Sequence, residues 1–218
     1  MTTNSQQVVG DMHGDMHGDM RGARRAVLFA LFFASGVAAL VYQIAWQRML
    51  YALFGVDLES VTVIVSVFMF GLGVGALLGG QVADRLPGRL LAIFAVVELG
   101  IGAYGFMSAQ LIEAAGLALA GGGRELTALA SFSILAVPTI LMGATLPILV
   151  AHVNATDRHV GSAVGMLYYA NTLGATVGAA LAGFVLLQEF GLLGSVRAAA
   201  LLNSTVALVA TIAFRRPR

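Results

Sequence analysis

Apolar residues run along this chain in long blocks, separated by short polar connectors. A bilayer core of about 30 Å is crossed by about 20 apolar residues in a helix. Six blocks reach that length: Ala26–Trp46, Ser60–Ala83, Leu90 to about Gln110, Leu126–Val150, Ala163–Leu187 and Val196–Phe214. With no water at that depth the backbone must bond to itself, so the blocks predict helices. None shows the short alternating strands of an outer-membrane barrel. The expected organisation is a disordered cytoplasmic tail over 1–25, a six-helix transmembrane domain over 26–214 and a basic cytoplasmic end over 215–218.

Composition agrees with that pattern. Apolar residues make up 59% of the 218 and charged residues 11%, against about 45–50% and about 25% in soluble domains. A soluble globular enzyme is therefore close to excluded. The chain has no cysteine, so disulfides and thiolate metal sites are excluded. All twelve basic residues are Arg; they form no single patch, and nucleic acid is not an expected partner. With the N-terminus inside, nine arginines (Arg21, Arg24, Arg25, Arg85, Arg89, Arg158, Arg215, Arg216 and Arg218) face the cytoplasm, and Arg48, Arg124 and Arg197 face out. That positive-inside bias predicts a multi-pass protein of a bacterial inner membrane with both termini cytoplasmic.

The first residues repeat Asp-Met-His-Gly, from Asp11 to Gly14 and from Asp15 to Gly18. They lack the short apolar core and cleavage pattern of a signal peptide. Met and His are soft-to-borderline ligands, which makes His13 and His17 weak metal candidates. A low-complexity tail is the preferred reading, and no cofactor is expected.

The second and fifth blocks resemble each other. Residues 71–80, GLGVGALLGG, align with 174–183, GATVGAALAG, at a constant offset of 103, with Gly71/Gly174, Val74/Val177, Gly75/Gly178, Ala76/Ala179, Leu78/Leu181 and Gly80/Gly183 identical. The copies lie three helices apart and so cross in opposite directions. That is the sign of two inverted three-helix repeats, as in half of a major facilitator transporter. Gly71, Gly75 and Gly79 share one helix face, as do Gly174 and Gly178, and small residues four apart let helix backbones touch. Gly71-Leu-Gly-Val-Gly75 also looks like part of a dinucleotide fingerprint, but it has no preceding strand and no helix N-terminus to hold phosphate.

Between the second and third blocks stands Gly80-Gln-Val-Ala-Asp84-Arg85-Leu-Pro-Gly88-Arg89. This resembles the cytoplasmic loop motif of the major facilitator superfamily, with Pro87 as one extra residue. Three further segments carry a closer resemblance: Ser35 to Arg48 (SGVAALVYQIAWQR), Met142 to Pro147 (MGATLP) and Gly165 to Gly174 (GMLYYANTLG). Together they resemble the membrane half of bacterial fused major-facilitator/spermidine-synthase-like proteins, over about residues 27 to 214. In that family a soluble synthase-like domain follows the last helix. No segment here has the length for it, so the enzyme name is not carried over. The expectation is a separate membrane subunit or a truncated reading. The resemblance also implies that Asp84, Arg85 and Arg89 pair with a second helix bundle, supplied here by a second copy or another protein.

Ionisable groups inside spans are costly and become functional candidates by default. Glu98 lies about 12 Å in from Leu90, Asn171 about 12 Å in from Ala163 and Thr145 about 10 Å in from His152. Facing each other, they would form a polar layer approached by Tyr168 and Tyr169. Glu98 is then either a proton-titrating or cation-binding carboxylate, or interhelical glue bonded to Asn171 or Thr145. The absence of a second charge at that depth favours glue. Pro138 and Pro147 interrupt the fourth block, and each frees a carbonyl that needs a partner. Gln43 sits near the outer end of the first block beside Trp46, which with Tyr51 fits an interfacial aromatic belt. The substrate-path candidates are thus Gln43, Glu98, Thr145, Tyr168 and Asn171. Two functions follow. One is a transporter-like half module for a small polar or cationic solute, working in the bilayer as a homodimer or with a second subunit. The other is a non-transporting anchor or accessory subunit for a soluble synthase-like domain or a larger membrane complex.

Overall fold

A computed structural model describes residues 3–54, 57–119, 121, 123–155 and 160–214, with side chains from residue 22 onward apart from 54, 57, 124, 160 and 163. Its α-helices are α1 (Thr3–Phe54), α2 (Asp57–Arg85), α3 (Leu90–Ala118), α4 (Gly123–Asn154), α5 (Val160–Leu181) and α6 (Leu187–Ala213). A 3-10 turn, Pro87–Arg89, links α2 to α3, and a π-helical segment, Ala182–Leu186, links α5 to α6. No strand occurs among the described residues.

Five helical stretches are long and apolar enough to cross a membrane: Gly22–Leu53, Leu58–Arg85, Pro87–Ala118, Glu125–Asn154 and Val164–Ala213. The last has 50 residues and contains both the fifth and the sixth predicted blocks. A straight helix of that length would measure about 75 Å, more than twice the bilayer core. Gly191 interrupts it with φ 65° and ψ −171°, a left-handed conformation that glycine adopts at no steric cost. The break falls between the expected end at Leu187 and the expected start at Val196. The expected tail lies within α1 or before it, and its side chains up to residue 21, His13 and His17 included, are outside the described residues, as is the basic end 215–218.

The packing follows from the glycines. α2 lies along α4, α1 along α5 and α3 along α6, while α3 also touches α4 and α6 touches α1. A methyl group placed on Gly75 would collide with the Ile140 carbonyl oxygen, and one on Gly178 with that of Val37. Gly71 meets Thr139, Gly79 meets Ala144 and Pro147, Gly174 meets Phe33, and Gly36 meets Asn171. At these points the helices are in backbone contact, which residues larger than glycine forbid. By contrast, Gly73 and Gly80 face open space.

One of the two proline breaks inside α4 is repaired by a neighbouring helix. Pro138 has no N–H for the Ile134 carbonyl one turn earlier, and Tyr104 Oη on α3 donates to that carbonyl oxygen at 2.7 Å. The interior is mostly apolar, with Phe32, Phe94, Ile148, Leu149 and Leu167 in one cluster and Trp46, Leu50, Ile64, Ile101 and Leu135 in another. Large apolar side chains also cover the outside, among them Met69, Leu77, Phe184 and Leu201. An apolar surface of that extent is compatible with lipid and unfavourable in water.

Gly75→Ala and Gly178→Ala are each expected to lower stability by about 1–3 kcal/mol through overpacking. Thermal unfolding in mild detergent checks this, with Gly73→Ala, facing open space, as the substitution that causes no loss. Tyr104→Phe is expected to cost about 0.6–1.7 kcal/mol in the same assay, because it leaves the Ile134 carbonyl without a partner.

Candidate functional site

Glu98 is fully buried, at 0% exposure, in the middle of α3. Its carboxylate accepts from Ser35 Oγ of α1 at 2.6 Å and from Asn203 Nδ2 of α6 at 2.5 Å. Both partners are themselves buried. One side chain from each of three helices thus meets at a single point. A buried carboxyl is tolerated in a low-dielectric interior when its oxygens are hydrogen-bonded, and here each oxygen has a partner.

The partners differ from those expected. Thr145 is buried but donates to the Met142 carbonyl oxygen of its own helix at 2.7 Å. Asn171 reaches the level of Glu98 on another face of α1: its backbone and side-chain oxygens lie against Gly36, next in sequence to Ser35. Consecutive helical residues point about 100° apart, so Asn171 and Glu98 contact α1 from different sides. The expected layer of Glu98, Thr145 and Asn171 does not close on itself. Asn203 is not among the candidates drawn from the sequence. Its signal was available, since it is the single Asn in the last apolar block.

About three turns along α1 and α3, a second polar contact forms. Trp46 Nε1 donates to Ser108 Oγ at 2.9 Å, and Ser108 Oγ donates to the Gly105 carbonyl oxygen at 2.8 Å. Trp46 stacks on Tyr42 with ring centroids 4.8 Å apart. Both rings are at 0% exposure, so Trp46 is packed inside rather than facing an interface: Gly105 leaves room for Tyr42, and Ser108 meets the indole N–H. Tyr51 is exposed. Among the described residues, Tyr42 Oη and Asn203 Oδ1 are buried without a hydrogen-bond partner.

The remaining candidates lie apart. Gln43 is half-buried on α1. Tyr168 and Tyr169 are 62% and 61% exposed on the outer face of α5, away from Glu98. In the loop motif, Asp84, Arg85, Gly88 and Arg89 are all exposed, and Pro87 opens the 3-10 turn held by the Arg89 N–H on the Leu86 carbonyl oxygen at 3.0 Å. No group of three or more His, Asp or Glu that could hold a metal occurs among the described residues.

No family model matches the chain, and no solved structure matches it. Curated proteins do. Polyamine aminopropyltransferase 2 of Streptomyces coelicolor is 34% identical over 174 residues, which is 77% of this chain and 29% of that protein. The polyamine aminopropyltransferase of Corynebacterium efficiens is 33% identical over 175 residues, 78% of this chain and 32% of its own length. That of Oceanobacillus iheyensis is 23% identical over 180 residues, with coverages of 83% and 34%. The chain is thus related in sequence to proteins named as polyamine aminopropyltransferases, and it spans about a third of their length.

Asn203→Ala and Ser35→Ala are each expected to lower unfolding stability by about 0.6–1.7 kcal/mol, the range for interhelical hydrogen bonds in membranes. The double variant is expected to cost less than the sum, because both bonds end on one carboxylate. Denaturation in detergent, read as a double-mutant cycle, checks both statements.

Proposed function

We propose that this chain is a membrane module of the spermidine-synthase-like proteins. In this reading six helices cross a bacterial inner membrane as two inverted three-helix repeats, with both ends in the cytoplasm. Its role is to anchor or assist a synthase-like partner.

The packing supports the repeat. Exchanging α1 with α4, α2 with α5 and α3 with α6 turns the α2–α4 pair into the α5–α1 pair and the α3–α4 pair into the α6–α1 pair, and all four are present. The contact of Gly75 with Ile140 maps onto that of Gly178 with Val37, since 178 − 75 and 140 − 37 both equal 103. The break at Gly191 is read as the turn between the fifth and sixth spans.

The anchoring role rests on one observation, the closure of the Glu98 site. Both carboxylate oxygens are engaged, the site is at 0% exposure, and the other polar candidates do not converge on it. A carrier site needs groups that face a path. A second reading, a half-transporter completed by a second copy, draws on Tyr168 with Thr172 and Thr176, which line an exposed face of α5.

Because the chain contains no cysteine, single cysteines report topology cleanly. Cysteines at Gly88 and Ala155 are expected to react with an impermeant maleimide only after the inner side is opened, and those at Gly121 and Glu189 from outside intact cells. Labelling of Ala155 and Glu189 from the same side would remove the six-span arrangement. In proteoliposomes, uptake of labelled spermidine is expected to equal that of empty vesicles. Uptake above that level, lost in Glu98→Gln, would establish the transporter reading instead.

A further inference from the structure

A cavity of about 760 Å³ opens at one end of the bundle, where α1, α3, α4 and α6 meet. Its size lies within the range of about 300–1,000 Å³ typical of small-molecule sites. Its wall is mostly apolar: Met49 and Leu53 from α1, Ile112 and Leu117 from α3, and Leu192 from α6. Thr127 adds a hydroxyl, and that hydroxyl already donates to the Gly123 carbonyl oxygen at 3.1 Å. Among the described residues Glu113 is the single charged one of the lining, and it is exposed. Arg197, one turn along α6 from Leu193, does not line the cavity. The Glu98 site, fifteen residues earlier on α3, is separate from it.

That combination selects a ligand class. A long apolar wall takes a hydrocarbon chain, because burying it removes apolar surface from water. One carboxylate at an exposed position takes one cationic head. A chain ending in an anion would set its charge against Glu113. A polyamine, with ammonium groups spaced along its chain, would press charges against aliphatic side chains with nothing to pair them. We propose that this cavity binds a single-chain membrane amphiphile with an ammonium head, its chain between Met49, Leu53, Ile112 and Leu192 and its head at the Glu113 carboxylate.

The protein carries its own reporter. Trp46 is the only tryptophan and lies one turn along α1 from Met49, about 4.5 Å in rise. A brominated chain seated in the cavity therefore comes within quenching range of it. The full chain in nanodiscs is titrated with ω-bromoundecylammonium, with the corresponding bromoalcohol and with the bromoalkylsulfonate. Saturable quenching of Trp46 by the ammonium compound is expected, reversed by excess unbrominated dodecylammonium. Binding of the alcohol should be about fivefold weaker, the scale of one partly exposed charge pair, and of the sulfonate weaker still. Glu113→Gln should bring the ammonium compound to the level of the alcohol. Ala52→Phe and Ala109→Phe, on the α1 and α3 walls, should weaken all three probes. Circular dichroism and the thermal midpoint establish that each variant is folded, and should one wall variant fail to fold the other carries the test. Quenching that is linear, equal for the three probes and indifferent to the wall variants would mean partition into the bilayer alone and would overturn the proposal. Tighter binding of the sulfonate than of the ammonium compound would overturn it equally.

Discussion

The bundle depends on backbone contact between helices at glycine. In lipid, apolar side chains gain nothing from meeting one another rather than the acyl chains, so association relies on dispersion at short range and on hydrogen bonds. Gly75 against Ile140 and Gly178 against Val37 bring α2 onto α4 and α5 onto α1 at distances that a single methyl group would prevent. Once these pairs form, α1 and α4 each have one face covered. The groove between them is closed by α3 and α6, which pack on each other and on α4 and α1 respectively. The polar groups then fall where the last two helices meet the first.

Those polar groups break the pseudo-symmetry of the packing. Leu201 and Pro138 stand at the positions related by 103 to Glu98 and Ser35, so the second half of the chain cannot build a copy of the same site. Where the first half has Ser35 donating to a carboxylate, the second has a proline whose missing N–H leaves the Ile134 carbonyl to Tyr104. Both devices act on α3. Glu98 ties it to α1 and α6, Tyr104 ties it to α4, and Ser108 ties it to Trp46 of α1. In the proposed repeat the paired helices supply the scaffold, while single polar residues on α3 fix how the helices register.

Much of this was legible in the chain, and the limits have a physical cause. Glycines four apart define a face whatever the neighbour is, so Gly71, Gly75, Gly79, Gly174 and Gly178 could be assigned to packing before any partner was known. Glu98 stood out because a lone carboxyl amid apolar residues must be satisfied. Its partners were not legible. Counting residues inward from a helix end gives depth alone, and Asn171 shares the depth of Glu98 but meets α1 at Gly36 rather than at Ser35. Thr145 can bond back to its own helix, as it does to Met142, and no spacing rule excludes that. Trp46 reads as interfacial from its place near a helix end, until Ser108 on another helix takes its N–H and Gly105 makes room for the Tyr42 ring stacked on it. The interruption at Gly191 falls in the expected gap between Leu187 and Val196, but the residue that makes it is not singled out there, because one glycine between Phe190 and Leu192 also reads as a tolerated helix residue.

These details bear on what such a bundle can do. A hydrogen-bonded carboxylate buried between three packed helices resists motion, since opening it leaves Ser35, Asn203 and Glu98 without partners in a medium where each lost partner is costly. Alternating access requires some helix contacts to be bistable. Here the backbone contacts of α2 with α4 and α5 with α1, together with the lock on α3, involve all six helices. What remains adaptable is the outside: the exposed Tyr168 and Tyr169 on α5, the open glycines of α2, the loop of Asp84, Arg85 and Arg89, and the cavity beside Glu113. A rigid interior with varied outer surfaces is what the proposed anchoring role calls for. The stretch aligned with the proteins named polyamine aminopropyltransferases is about a third of their length.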